Sequence, residues 1–401
     1  MTSAFFASRL DSIIPSPTLA IAKLAAELKA QGKDIIPLST GEPDFDTPDF
    51  IKEAAYAAIK AGKTKYTPID GTPELKKAIV QKFKSENNLS YEVNQISVGA
   101  GGKQVIFNAF LATINPSDEV IIPSPYWVSY PDIVHLAGGT PVFLPSTPAN
   151  NFKISPADLD KAITPKTKWF ILNSPSNPTG SAYTKDELRQ IADVLLKHPH
   201  VFILSDDIYE HLIYDNLAFY TIAQVEPLLL PRTLVVNGVS KAYSMTGWRI
   251  GYAAGDVELI KKMSDIQGHS TSNPSSISQA AAVGALTGDQ SFLKDWVSIF
   301  QKRRDIALAA LNSIEGLSCP CPSGAFYLFP DCGALFGKKL PSGKPVTYDS
   351  DIAGLLLEHG VAVVPGSAFG YPSAFRLSYA VSEDTLSKAC SRIKSAISSL
   401  S

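Results

Sequence analysis

The 401-residue chain has only four cysteines, no apolar run long enough to cross a bilayer, no low-complexity tract, no fixed-period repeat and no excess of either charge. Each shortage excludes something. Four cysteines are few for a disulfide framework; Cys319 and Cys321 form a Cys-Pro-Cys run too tight to bridge without strain, and Cys332 has no partner at metal-ligand spacing. Reduced cysteines in a cytoplasmic protein, with no bound metal, are the expectation. The formal charge of -2 comes from 36 basic and 38 acidic residues scattered along the chain, so no basic footprint points to nucleic acid. The N-terminus offers only four consecutive apolar residues, 4–7, too few for the core of a secretory signal. With no spanning segment either, no membrane partner is expected.

The composition that is present, 45% apolar and 18% charged with 26 Gly and 29 Pro, is that of globular material. The length exceeds what one core usually serves, which predicts two packed lobes. From about residue 90 to 290, short apolar runs ending in turn residues alternate with segments of helical period, the pattern of βα units and of a mostly parallel sheet covered by helices on both faces. Strands are predicted at 119–122, 140–144, 168–172, 201–204, 233–236 and 250–254. Thr184 followed by Glu187 reads as a capping box opening a helix that runs to about residue 197. A long helical pattern spans 289–315. A smaller α/β region follows, with strands at 325–329, 361–364 and 375–379, a surface loop at 337–345 and a closing helix at 382–398. Before the βα units lies one amphipathic helix, 18–31, followed by turns, which must dock on a lobe.

Ligand sites in open α/β sheets lie beyond the carboxyl ends of the strands, and five runs place polar residues there. Residues 97–104 (SVGAGGKQ) form a glycine-rich turn opening a helix, able to present backbone N–H groups to a phosphate. The run lacks the Ser or Thr of a nucleotide P-loop after Lys103, and Val105 stands where a dinucleotide fingerprint has its last glycine; a plain turn is the alternative. In 124–130 (SPYWVSY), Trp127 is positioned to stack on a flat cofactor or simply to fill a core. In 173–180 (NSPSNPTG) the amide of Asn177 is available to a ligand, although turn formation alone would explain the run. Residues 201–210 carry a buried apolar strand straight into Asp206 and Asp207, costly unless a cation or donors face them. Lastly, Lys241 and Arg249 follow the 233–236 strand, eight residues apart. Lys241 alone is an ordinary lysine; beside an anion loop, a stacking indole and a strand-end carboxylate it reads as a cofactor lysine.

In the order and spacing of these runs the chain resembles, over nearly its whole length, the class I pyridoxal-phosphate-dependent aminotransferases of fold type I, especially the bacterial aspartate and aromatic subgroup. The resemblance rests on 39–48 (STGEPDFDTP), 65–68 (KYTP), 124–130, 173–180, 205–210 (SDDIYE), 241–251 (KAYSMTGWRIG), 323–327 (SGAFY) and 375–379 (FRLSY). It implies an α/β architecture: a large cofactor-binding domain, 46–295, with a mostly parallel seven-stranded sheet between helices, a smaller α/β domain, 296–401, and an N-terminal segment, 1–45, packing with the small domain. It implies pyridoxal 5'-phosphate as cofactor, amino-acid and 2-keto-acid substrates, and a homodimer with shared active sites.

The same resemblance implies the roles. Lys241 is the covalent cofactor ligand and moves the reaction's proton, a double task that requires an amine holding its own proton loosely. Asp206 pairs with the cofactor's ring nitrogen, Tyr209 and Asn177 with its phenolic oxygen, and Trp127 stacks on the ring. Gly101, Gly102 and Arg249 hold the phosphate, with Tyr66 arriving from a second subunit. Arg376 grips the substrate α-carboxylate with both arms of its guanidinium. Gly41 lies in the segment that closes over the substrate. Lys103, beside the cofactor, helps bind the distal carboxylate of aspartate or glutamate, with Ser16 and Thr18 at the same end.

Three positions depart from the family pattern. Gly238 stands where a phosphate-binding Ser is common, Asp207 where Glu is usual, and Ser12 where relatives that use prephenate carry Arg. Aspartate transamination is therefore the leading expectation. The alternatives are an aromatic or prephenate aminotransferase, a carbon–sulfur lyase on the same fold, a non-catalytic regulator keeping the cofactor as a ligand, and a dinucleotide-binding protein.

Overall fold

A computed structural model describes residues 5–13 and 15–401; Ala4 of the apolar run 4–7 lies outside them. The first strand, β1 (Ile36–Pro37), belongs to a small sheet. The next seven build the large one: β2 (Ile96–Gly99), β3 (Glu119–Ser124), β4 (Thr140–Pro145), β5 (Thr167–Asn173), β6 (Phe202–Asp206), β7 (Thr233–Gly238) and β8 (Gly251–Ala254). Their spatial order is β2-β8-β7-β6-β5-β3-β4, and only β8 runs against the others. The predicted seven-stranded, mostly parallel sheet is the one found.

The strands alternate between two apolar cores. Val120, Trp169, Leu204, Leu234 and Ala253 face one, packed against the helices Gly102–Thr113 and Val257–Gly268. Ile121, Phe170 and Ile203 face the other side with the helix Lys185–Lys197, and Val235 and Tyr252 with Pro73–Asn87 and Ser276–Thr287. A period of two with both phases apolar is what a sheet buried on both faces requires. The capping box at Thr184 is present: its backbone N–H donates to Glu187 Oε2 at 2.7 Å and its hydroxyl accepts from the Glu187 N–H at 3.3 Å.

A third core gathers the helices Phe292–Asn312, Asp349–Glu358 and Glu383–Ser398 around the strands β9 (Tyr327–Leu328), β10 (Val361–Ala362) and β12 (Phe375–Ser378), while β11 (Val364–Pro365) packs its Val364 in a smaller cluster with Phe152, Phe329 and Phe369. Ile36 and Leu38 join this core, and β1 pairs in parallel with β10.

Several predicted elements differ in the structure. The run opening at Ser97 begins as strand β2, paired antiparallel to β8, and turns only at Ala100 and Gly101; a four-residue strand ending in glycine leaves little pattern to read. The 361–364 strand is two strands, one bonded to β1 and the other to β12. The 289–315 helix is shorter, Phe292–Asn312, because Asp289 folds back on the Ser291 N–H at 2.9 Å and Gly316 turns with φ of 90° after its end. The amphipathic 18–31 helix runs from Pro17 to Ala30, capped by the Ser16 hydroxyl.

Candidate active site

The carboxyl ends of β3, β5, β6 and β7, together with the turn after β2, converge on a cavity of about 430 Å³. Its wall includes Gly41, Gly102, Lys103, Trp127, Asn177, Asp206, Tyr209, Lys241, Arg249 and Arg376, with Ser16 and Thr18 at the rim helix. Ten residues predicted from separate runs thus meet in one place. Gly101 stands one residue behind the wall as the N-cap of Gly102–Thr113, and Tyr66 lies apart, 91% exposed. Ser12 is exposed and outside the wall.

Lys241 projects three residues beyond the end of β7, and its amine donates to the Gly41 carbonyl at 2.6 Å. Burial pushes its pKa down to about 8, against the attraction of Glu42. Asp206 ends β6. Burial pushes its carboxyl up to about 6, opposed by the Tyr130 hydroxyl, which donates to Oδ2 at 2.6 Å. An ammonium that is easily deprotonated and a carboxylate short of a cation therefore face one cavity. That combination fits a cationic aromatic nitrogen against Asp206, with the Lys241 amine left to act as a nucleophile or base.

Trp127 packs edge to face on Tyr130, with ring centroids 5.2 Å apart, and Lys103 lies 5.0 Å from the indole centroid. Burial and then the neighbouring Arg249 lower the Lys103 pKa.

The glycine turn makes the anion end. Gly101 has φ of 89°, and a Cβ there would strike the Arg249 guanidinium; a Cβ on Gly251 would strike the Gly102 backbone nitrogen. Arg249 itself is left-handed, φ 57°, a conformation that costs a non-glycine residue about 1 kcal/mol or more. Its guanidinium donates to the carbonyls of Thr246 at 3.0 Å and Ala100 at 3.2 Å. Helix N-terminal N–H groups, an arginine and bare glycine backbone fit a phosphate.

Arg376, on β12, is fully buried. It donates to Asn177 Oδ1 at 2.9 Å and to the Ser39 carbonyl at 2.6 Å, and its guanidinium lies 4.6 Å from the Tyr327 ring centroid and 5.0 Å from that of Phe369. Burial lowers its pKa, and no carboxylate pairs with it among the described residues. Because Asn177 Oδ1 accepts from Arg376, the Asn177 amide nitrogen is left as a donor.

Asp207 points to the opposite face of β6, as strand alternation demands. There Ser205 donates to it at 2.7 Å, and burial pushes it up to about 7. Nearby, Glu210 is bound by Lys82, by Asn87 at 2.8 Å and by Asn237 at 2.7 Å. Glu86, Glu210 and His211 lie close enough to share a cation, but the Lys82 ammonium is already bonded to Glu210 and stands 3.6 Å from Glu86. All four cysteines are free, and no helix among the described residues is long and apolar enough to cross a membrane.

Sequence reasoning passed over Tyr130, Tyr327 and Ser240, all in the cavity wall. Each tyrosine sits in an apolar run where core filling is the simpler reading; the spacing of Tyr130, one helical turn after Trp127, was the available signal. Gly238 faces Gly251 so closely that a Cβ would lie 3.1 Å from its Cα, which explains the glycine, and Ser240 two residues on is part of the wall.

Residues 33–393 match the family model described as aminotransferase class I and II. A relative from Rhizobium leguminosarum named probable aspartate/prephenate aminotransferase is 58% identical over 98% of both chains. One from Cereibacter sphaeroides named aspartate/prephenate aminotransferase is 56% identical over 99% of this chain and 100% of its own. Among solved structures, the aspartate aminotransferase of Rhizobium meliloti superposes with a TM-score of 0.96 at 55% identity, covering 99% of both chains. The Thermus thermophilus aspartate aminotransferase with maleate gives 0.92 at 42% identity, covering 99% of this chain and 100% of that one.

Proposed function

Because the chain belongs to the class I and II aminotransferases, we propose that it transfers the amino group of L-aspartate to 2-oxoglutarate in two successive half-reactions, with pyridoxal 5'-phosphate held at Lys241. The observation that carries this reading is the meeting at one cavity of a half-buried Lys241 with the buried Asp206 and Arg376, none of the three in an ion pair among the described residues. When bound, pyridoxal phosphate supplies an electron-withdrawing ring that accepts the electron pair left at the substrate's α-carbon.

The chain's own residues do the rest. Asp206 holds a proton on the ring nitrogen, and Tyr130 keeps that carboxylate ionised by donating to it. Tyr209 and the free amide of Asn177 donate to the phenolic oxygen. Trp127 covers the ring face. The Gly101–Gly102 turn, Ser240 and Arg249 grip the phosphate. Arg376 binds the α-carboxylate through both nitrogens, and the loss of water from its buried setting strengthens that pairing. Lys241, with a pKa near 8, carries an appreciable neutral fraction at neutral pH and serves as the base that takes the α-proton and returns it at the cofactor's carbon. Lys103, Ser16 and Thr18 face the distal carboxylate.

Residues 46–295 would then carry the cofactor, and 1–45 would travel with 296–401 when substrate enters; the β1–β10 pairing supports that attachment. A cytoplasmic homodimer completes the reading, with Tyr66 of a second copy reaching the phosphate. The exposure of Tyr56, Ile59 and Tyr66 supports a partner surface there. Prephenate as an amino acceptor is the second reading, favoured by the names of the relatives at 56 and 58% identity. The test supplies cofactor-loaded protein with aspartate alone and then with each keto acid. Oxaloacetate release with a change in cofactor absorbance is expected; no spectral change with aspartate would overturn the substrate assignment.

A further inference from the structure

Tyr327 is wholly buried, lines the cavity and touches three site groups at once. Its hydroxyl meets the Tyr209 hydroxyl at 2.8 Å, and the two rings pack edge to face with centroids 5.8 Å apart. The Arg376 guanidinium lies over its ring at 4.6 Å. On its remaining side, a Cβ at position 41 would come within 2.6 Å of the hydroxyl, so the bare Gly41 backbone rests on it while its carbonyl holds Lys241. Buried tyrosines that only fill the nearby core behave differently. Tyr214 and Tyr379 both aim their hydroxyls at the Ala325 carbonyl, away from the cavity.

We propose that Tyr327 is a positioning residue that couples substrate-carboxylate binding at Arg376 to the hydrogen bond Tyr209 gives the cofactor's phenolic oxygen. This rests on the reading that Lys241 holds pyridoxal phosphate. The Tyr209 hydroxyl has one proton. If Tyr327 donates to it, that proton is free for the phenolic oxygen, and two hydroxyls in series polarise one another. Burial keeps both phenols protonated, Tyr209 well above the usual range and Tyr327 raised as well. The Arg376 charge over the ring draws electron density from Tyr327 and makes its hydroxyl the better donor. A carboxylate paired with Arg376 cancels part of that charge and weakens the series.

The sign follows from the chemistry of the lysine–cofactor linkage. Its proton is held by the negative phenolic oxygen, so a stronger donor on that oxygen releases the proton at lower pH. The experiment follows cofactor absorbance against pH, with and without maleate as an unreactive dicarboxylate, in the parent, Tyr327→Phe, Tyr209→Phe and the double variant. Tyr327→Phe keeps the ring, and thermal melting reports its folding. The midpoint is expected to rise by about half a pH unit in Tyr327→Phe, the additional shift caused by maleate to shrink, and Tyr327→Phe to add nothing in the Tyr209→Phe background. Curves of Tyr327→Phe that superimpose on the parent with and without maleate would overturn the proposal, as would an equal shift in the Tyr209→Phe background. A parent protein with no titrating absorbance would instead sink the Lys241 reading.

Discussion

Asp206 and Glu210 are four residues apart on the same strand and following turn, both fully buried, and they are treated in opposite ways. Glu210 is matched: burial pushes its pKa up, but Lys82, His211 and Asn87 outweigh that and leave it below the usual range. Asp206 has only hydroxyl and backbone donors, and burial wins, lifting it to about 6. Across the cavity burial displaces Lys241 downward to about 8, more than the attraction of Glu42 offsets. One cluster is electrostatically finished within the chain. The other is finished only by molecules the chain binds, which is what a reactive site requires.

Three variants sharpen or break this contrast. Lys241→Ala is expected to cost roughly 10⁴-fold or more in turnover, yet to melt no lower than the cofactor-free parent, because it removes a half-buried amine without an ion-pair partner. A large loss of stability would mean that Lys241 is structural. Lys82→Met should do the reverse. It strands the Glu210 carboxylate and should cost about 3–5 kcal/mol in urea unfolding, with turnover per folded molecule retained; a fall in turnover without a stability change would join the two clusters into one site.

Asp207→Asn should touch turnover least, and its effect on stability depends on pH. The folded protein holds this proton up to about pH 7, whereas the unfolded chain releases it near the ordinary 3.8. Ionising Asp207 therefore destabilises the fold progressively as pH rises from about 4 to about 7, and constantly above that. The variant should gain on the parent across that window, by up to about 1.4 kcal/mol for each pH unit. Urea midpoints compared on both sides of the window check this, and a gap that does not change with pH would show that Asp207 ionises freely where it sits.

The sequence made the long features legible and hid the short ones. Six strands of the large sheet announce themselves because both phases of their pleat are apolar, as in Val120-Ile121-Ile122 and Phe170-Ile171-Leu172. Strand β1 has two residues and exists only because a distant partner is present, so no local pattern marks it, and the single apolar run 361–364 hides that β10 and β11 are separate strands with different partners. The same division runs through the site. Asp206 stood out as a carboxylate ending an apolar strand, and the glycine turn as punctuation. Arg376 had no local signal and entered through resemblance alone. Tyr130 and Tyr327 looked like packing because most of each side chain is packing; only the position of one oxygen atom makes them part of the site.

The hydrogen bonds that close the cavity span great lengths of chain. Lys241 reaches Gly41 across 200 residues, Arg376 reaches Asn177 across 199 and Ser39 across 337. Contacts so remote form late, after the intervening loops have been closed. A partly folded molecule, even with its large sheet complete, lacks the carbonyl that orients the lysine and the arginine that ends the site. On the proposed function, capture of the cofactor and of a carboxylate would then act as a certificate of completed folding, and ligands of this site should bind finished molecules and ignore those still being made.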